Sequence, residues 1–71
     1  MGLAPMTEAT LLKMAGRAFA DVTGSLEDAT LVAAEGQATP NLSSARQSCD
    51  LLIALLETTL ARLQQLRRRL G

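Results

Sequence analysis

Residues 39–70 read TPNLSSARQSCDLLIALLETTLARLQQLRRRL, and mostly apolar or small residues recur through them at alternating steps of three and four. This series is Leu42, Ala45, Cys49, Leu52, Leu56, Thr59, Leu63, Leu66 and Leu70. Such spacing places one apolar stripe along a helix, so the sequence predicts a long helix over about residues 40–70. In the middle the stripe widens through Leu51, Ile53, Leu55 and Leu60. One partner helix cannot cover so broad a face.

Another helix is predicted before this one, over about residues 7–35. Thr7 suits its first position, because a threonine hydroxyl accepts a hydrogen bond from a free amide one turn in. The same alternation follows with smaller side chains, through Leu12, Ala15, Phe19, Val22, Leu26, Ala29 and Ala33. Small residues, Gly16 and Gly24 among them, are expected to let a leucine-rich helix approach closely. A break at Gly24-Ser25 is the rival interpretation, and continuity is favoured because the stripe keeps its phase there.

A turn is predicted over about residues 36–39. We expect Gly36 to end the first helix in the left-handed conformation, Thr39 to cap the second and Pro40 to occupy its first turn. Helices of similar length joined by a short turn form an antiparallel hairpin. The predicted fold is therefore all-α: one two-helix hairpin domain at residues 7–71, after a flexible leader at residues 1–6, dimerising into a four-helix bundle.

Composition points to oligomerisation as the source of stability. A single core in 71 residues is marginal without disulfides, metal or a partner chain. Cys49 is the one cysteine and histidine is absent, so the chain cannot form an internal disulfide or assemble the usual zinc and catalytic ligand sets. We expect Cys49 to pack in the core. We predict no enzyme activity, no metal, no cofactor and no small-molecule substrate.

The charges cancel over the chain but not within each half. Residues 1–36 carry two basic and five acidic side chains, a net of −3, and residues 37–71 carry five and two, a net of +3. The halves attract, which favours the hairpin, although exposed ion pairs are individually worth only about 0 to 1 kcal/mol. A net charge of zero, with one phenylalanine and no tryptophan or tyrosine, argues against a nucleic-acid binder. The longest apolar run is too short to span a membrane, which predicts a cytoplasmic protein.

Three groups of residues are candidate sites. The apolar interface with another chain is predicted at Leu52, Ile53, Leu55, Leu56, Leu60, Leu63, Phe19, Val22 and Leu26. A polar patch is predicted at Arg46, Gln47 and Asp50, where the first and third residues are one turn apart and can form an ion pair. An anion-binding cluster is predicted at Arg67, Arg68 and Arg69. For both polar groups the simpler interpretation is structural: a solvated ion pair, and favourable charge at a helix C-terminus.

From Asn41 the run NLSSARQSCDLLIALLETT resembles NLxxARQxIDxLxxLxEKT, a segment of a family of small bacterial helical proteins known as domain of unknown function eighteen-forty-four. The matching positions are Asn41, Leu42, Ala45, Arg46, Gln47, Asp50, Leu52, Leu55, Glu57 and Thr59. The family's isoleucine and lysine are replaced by Cys49 and Thr58. The resemblance covers about half of the chain and implies a bacterial, soluble helical protein with no assigned activity.

These observations predict an interaction module, working as an assembly, adaptor or cochaperone-like subunit through a leucine-rich helix face. Its partner is a second copy or a related helical protein, and the residues alone do not separate the two. The alternative function is binding of an anionic surface, nucleic acid or membrane, by the C-terminal arginines. A third possibility is a subunit that folds only with its partner.

Overall fold

The structure is a computed structural model and describes residues 7–71. Within that range the chain forms two helices, α1 at Glu8–Gly36 and α2 at Leu42–Leu70, each of 29 residues, and they pack against each other. The predicted all-α hairpin is therefore confirmed. The leader predicted at residues 1–6 lies outside the described residues.

Helix α1 begins at the predicted cap and continues without a break. The Thr7 hydroxyl accepts a hydrogen bond from the Thr10 amide at 3.1 Å. The helix runs through Gly24 and Ser25, so the alternative of a break there is wrong. A Cβ built on Gly16 or Gly24 meets no atom within 4 Å. These two glycines therefore face open space, and the expectation that they admit the neighbouring helix is wrong.

The turn uses different residues from those predicted. Gly36 is the last residue of α1 and not a left-handed cap, since Gly71 is the glycine with positive φ in residues 7–71. The Thr39 hydroxyl donates a hydrogen bond of 3.1 Å to the Gly36 carbonyl, so Thr39 closes α1 instead of opening α2. Asn41 caps α2, because its side-chain oxygen accepts from the Ser44 amide at 2.8 Å. Pro40 lies before α2, so the prediction that it occupies the start of that helix is wrong.

The buried positions repeat every seven residues, which is the spacing of a two-helix seam. They are Ala15, Val22 and Ala29 on α1 and Thr59 and Leu66 on α2, with Leu52 half-buried one repeat earlier. The α1 series of the sequence prediction is correct at these three positions and wrong at Leu12, Phe19, Leu26 and Ala33, which are exposed. Leu11, Ala18, Ser25 and Val32 are half-buried instead. Each of these half-buried residues directly precedes an exposed residue of the predicted series. The helices therefore contact each other through mostly small side chains, which allow closer packing than the large ones beside them.

Two contacts establish the antiparallel register. At the turn, a Cβ built on Gly36 would lie 3.6 Å from the Ser48 Cβ. At the open end, Arg69 Nη1 lies 3.6 Å from the Met14 sulfur, to which it donates a weak hydrogen bond. The start of α2 therefore lies beside the end of α1, and its end beside the first turns of α1.

Candidate protein-interaction face

One side of the hairpin carries a row of exposed large apolar side chains, which we call the leucine face. Its members are Leu12, Phe19 and Leu26 of α1 and Leu42, Ile53, Leu56, Leu60, Leu63 and Leu70 of α2. Leu63 is half-buried, and each of the others exposes between 41% and 66% of its surface. None of the side chains in residues 7–71 is more than 98% buried. The hairpin therefore leaves most of its large apolar side chains outside its own core.

The seven-residue repeat places both halves of this face on one side. Phe19 and Leu26 come four residues after the buried Ala15 and Val22, and Leu63 and Leu70 come four residues after Thr59 and Leu66. Positions with the same offset from the core lie on the same flank of an antiparallel pair. Ile53 and Leu60 lie three or four residues from Leu56 and widen the row on α2.

The opposite flank confirms this arrangement. It forms an open groove lined by residues of both helices, Met14, Ala18, Asp21, Arg62, Gln65, Leu66 and Arg69. Met14 and Gln65 both line this groove, and each directly precedes a buried residue, Ala15 and Leu66 respectively. Residues one position before the buried ones therefore lie on the same flank in both helices. The groove carries two guanidinium groups and a carboxylate. This flank is thus charged, whereas the flank of the leucine face carries large apolar groups with Arg46 and Arg67 at the two ends of its α2 row.

Five of the nine residues predicted as the apolar interface are exposed on the leucine face: Phe19, Leu26, Ile53, Leu56 and Leu60. Leu63 is half-buried at its edge. The other three lie between the two helices of the hairpin, since Val22 is buried and Leu52 and Leu55 are half-buried. Sequence reasoning left out Leu12, Leu42 and Leu70 as interface residues. The seven-residue steps from Leu12 to Phe19 and from Leu63 to Leu70 are the signal that finds two of them.

Cys49 is exposed, so the expectation that it packs in the core is wrong. It comes four residues after Ala45 and seven before Leu56, which puts its thiol in the α2 row of the leucine face. Helix α1 therefore does not cover the Cys49 side chain.

Thr59 is 5% exposed and lies in the seam. Its hydroxyl donates a 2.8 Å hydrogen bond to the Leu55 carbonyl of the preceding turn. A threonine hydroxyl inside a helix commonly donates in this way to the carbonyl four residues earlier. The buried hydroxyl is therefore satisfied inside its own helix and needs no partner on α1.

The predicted polar groups lie on α2. Arg46, Gln47 and Asp50 are exposed on its first turns, next to the turn of the hairpin. At the other end, Arg67 Nη1 donates to the Gly71 carbonyl, and Arg69 Nη1 reaches across to the Met14 sulfur. Two of the three C-terminal arginines thus contact groups of their own chain. The Arg67 contact is of the kind expected for favourable charge at a helix C-terminus. Anion binding by the cluster stays a prediction.

In residues 7–71, neither helix combines the length and the apolar content that a bilayer crossing requires. Comparisons with protein-family models, curated proteins and solved structures found no match to this chain. The resemblance of residues 41–59 to the bacterial family stays a prediction.

Proposed function

We propose that this protein is a protein–protein interaction module, an assembly, adaptor or cochaperone-like subunit, that binds a helical polypeptide on its leucine face. The observation that carries the proposal is that mostly small apolar side chains are buried while the large ones are exposed. The buried apolar side chains of residues 7–71 are two alanines, one valine and one leucine, whereas ten leucine, isoleucine or phenylalanine side chains are exposed. Eight of these ten belong to the leucine face.

The energetics favour a partner on this face. Complete burial of a large apolar side chain contributes about 1.5 to 3 kcal/mol, so covering the exposed half of each residue contributes about 1 kcal/mol. Because eight such residues lie together, a single partner can cover them all and gain the sum of their contributions. Leucines scattered over the surface could not be covered by one partner. Contiguous apolar surface of this extent marks binding sites on soluble proteins.

The shape of the face fits a helical partner. The rows on α1 and α2 run side by side along the hairpin, with side chains spaced by seven residues on each. The shallow depression between two such rows accepts the side chains of another helix, as in helix bundles. An amphipathic helix or helical hairpin is therefore the class of ligand that the geometry favours.

The alternative function, binding of an anionic surface by the C-terminal arginines, has less support. Arg67 and Arg69 contact Gly71 and Met14 of their own chain, and Asp21 lies in the groove beside Arg62 and Arg69. The carboxylate lowers the positive potential that a polyanion would meet. Replacing Arg68 and Arg69 by glutamine is expected to leave partner binding on the leucine face unchanged, because neither residue continues the seven-residue row of that face.

Site-specific photo-crosslinking in the native host tests the proposal. A benzoylphenylalanine is placed at residue 19, where it replaces an exposed aromatic side chain, and separately at residue 31. Phe19 and Leu31 are 53% and 64% exposed, but Leu31 lies outside the leucine face. We expect covalent adducts with a polypeptide from residue 19 and few or none from residue 31. Equal yields from both positions, or none from residue 19, would contradict the proposal.

A further inference from the structure

We infer that the occupant of the leucine face is a second copy of this chain, so that two hairpins stack face to face as a four-helix bundle. The inference rests on the proposed function, since it names the partner of the same face. It also assigns the contact to residues that the hairpin leaves exposed and excludes Val22, Leu52 and Leu55, which the hairpin itself uses.

The area of the face matches what a stable dimer needs. Two helices of 29 residues are about 43 Å long at about 1.5 Å per residue. Lying about 9 Å apart, they present a flank about 19 Å wide, which amounts to about 800 Å². On this flank the leucine face runs along all of α2 and along residues 12–26 of α1. A standard stable interface buries about 800 Å² on each partner. A single added helix would cover about half of this surface.

The face is matched to itself in length and spacing. Both helices have 29 residues, so a second hairpin is as long as the face that it covers. The rows on α1 and α2 share the seven-residue spacing, and the side chains of one copy therefore fit between those of the other. Such self-complementarity is the requirement of a two-fold symmetric interface.

The distribution of charge allows two copies to meet. The chain has no net charge, so two copies do not repel each other as whole molecules. The charged groups Asp21, Arg62 and Arg69 line the groove on the opposite flank. They stay in water when the leucine faces come together. Arg46 and Arg67 lie at the two ends of the Ile53–Leu60 row and are exposed, so their long side chains reach water at the ends of the interface.

The mass of the purified full chain, measured by sedimentation equilibrium over a range of concentrations, tests the inference. We expect twice the 7.5 kDa of one chain, with reversible dissociation on dilution. The double variant Leu26→Asn/Leu56→Asn is expected to dissociate at least about tenfold more readily, because it places two polar amides in the interface. A monomer at all concentrations, or a mass other than two copies, would overturn the inference.

A matched control variant separates this face from the rest of the surface. Leu31→Asn/Leu51→Asn makes the same chemical change once on each helix, at side chains that are 64% and 51% exposed but lie outside the leucine face. This variant is expected to dimerise as the unmodified chain does. Loss of the dimer in the control and its persistence in Leu26→Asn/Leu56→Asn would place the contact elsewhere and overturn the inference.

Cys49 supplies a readout that needs no substitution and does not depend on the variants folding. Its thiol is exposed in the single hairpin and lies in the row that the second copy covers. Its rate of alkylation is therefore expected to fall at least about tenfold between dilute and concentrated protein. A rate equal to that of an unfolded cysteine peptide at every concentration would contradict the dimer.

The outcome distinguishes this inference from the proposed function. A purified chain that stays monomeric, while residue 19 still forms adducts with a different protein in cells, rejects the second copy and leaves the interaction module standing. A monomer without adducts rejects both. A dimer of the purified chain whose adduct in cells has the mass of two copies supports both.

Discussion

Asn41 decides where α2 begins. Its side-chain oxygen accepts the Ser44 amide, whereas Thr39, two residues earlier, donates its hydroxyl to the last turn of α1. The two polar side chains of the turn therefore serve different helices. This division keeps the connection short and gives a side-chain partner to one carbonyl at the end of α1 and one amide at the start of α2.

Replacing this cap tests the assignment at the residue scale. Asn41→Ala is expected to lower the free energy of unfolding by about 1 kcal/mol, because the Ser44 amide loses its acceptor. Asn41→Asp is the control and is expected to retain the stability, since aspartate caps as well as asparagine. Urea unfolding followed by circular dichroism, at one protein concentration, measures both. Equal stability of the alanine variant and the unmodified chain would show that Asn41 does not cap.

Helix α1 is continuous although it contains a glycine near its middle. Its cap at Thr7, its 29-residue length and its contact with α2 along the seam outweigh the weak helix propensity of Gly24. Since a Cβ at this position meets open space, nothing in the described fold requires a glycine there.

Substitution of that glycine is the test at the element scale. Gly24→Ala is expected to raise the free energy of unfolding by about 0.5 to 1 kcal/mol, through the smaller entropy of the unfolded chain. Gly16→Ala faces the same open space and should act in the same direction. Thermal unfolding at matched concentrations measures the change. Destabilisation by Gly24→Ala would indicate a kink or a close contact at this position.

The whole molecule is asymmetric about its seam, with most of its exposed large apolar groups on one flank and a charged groove on the other. This asymmetry arises because the two helices meet through Ala15, Val22 and Ala29, whereas Phe19 and Leu26, four residues after the first two, lie outside the seam. A monomer of this design has too thin a core to be very stable. Folding and assembly are therefore expected to be linked.

That linkage appears in the dependence of unfolding on concentration. For a dimer, a hundredfold increase in protein concentration is expected to raise the midpoint of thermal unfolding by about 5 to 10 °C. The variant Leu26→Asn/Leu56→Asn should show a smaller dependence, and Leu31→Asn/Leu51→Asn the same dependence as the unmodified chain. A midpoint independent of concentration in the unmodified chain would argue that the hairpin folds alone.

Periodicity and capping chemistry were sufficient to predict the elements. The repeat of apolar residues indicated two helices of similar length, Thr7 marked the start of α1, and the interruption near Gly36 marked the turn. The residue details of the turn were not predictable in the same way, because Thr39 and Asn41 both suit a helix start. The choice between them depends on which carbonyl and amide groups the folded turn leaves without partners.

The sequence by itself determined that this protein is an all-α hairpin with more apolar surface than one helix pair can bury, because spacing and composition are properties of the chain alone. Only the tertiary structure decided which apolar residues fill the seam and which form the outer face. A series such as Leu12, Ala15, Phe19 and Val22 fits two neighbouring rotations of the helix equally well. The packing of small residues against α2 selects one rotation, and that selection leaves Phe19 and Cys49 on the surface where a second chain can cover them.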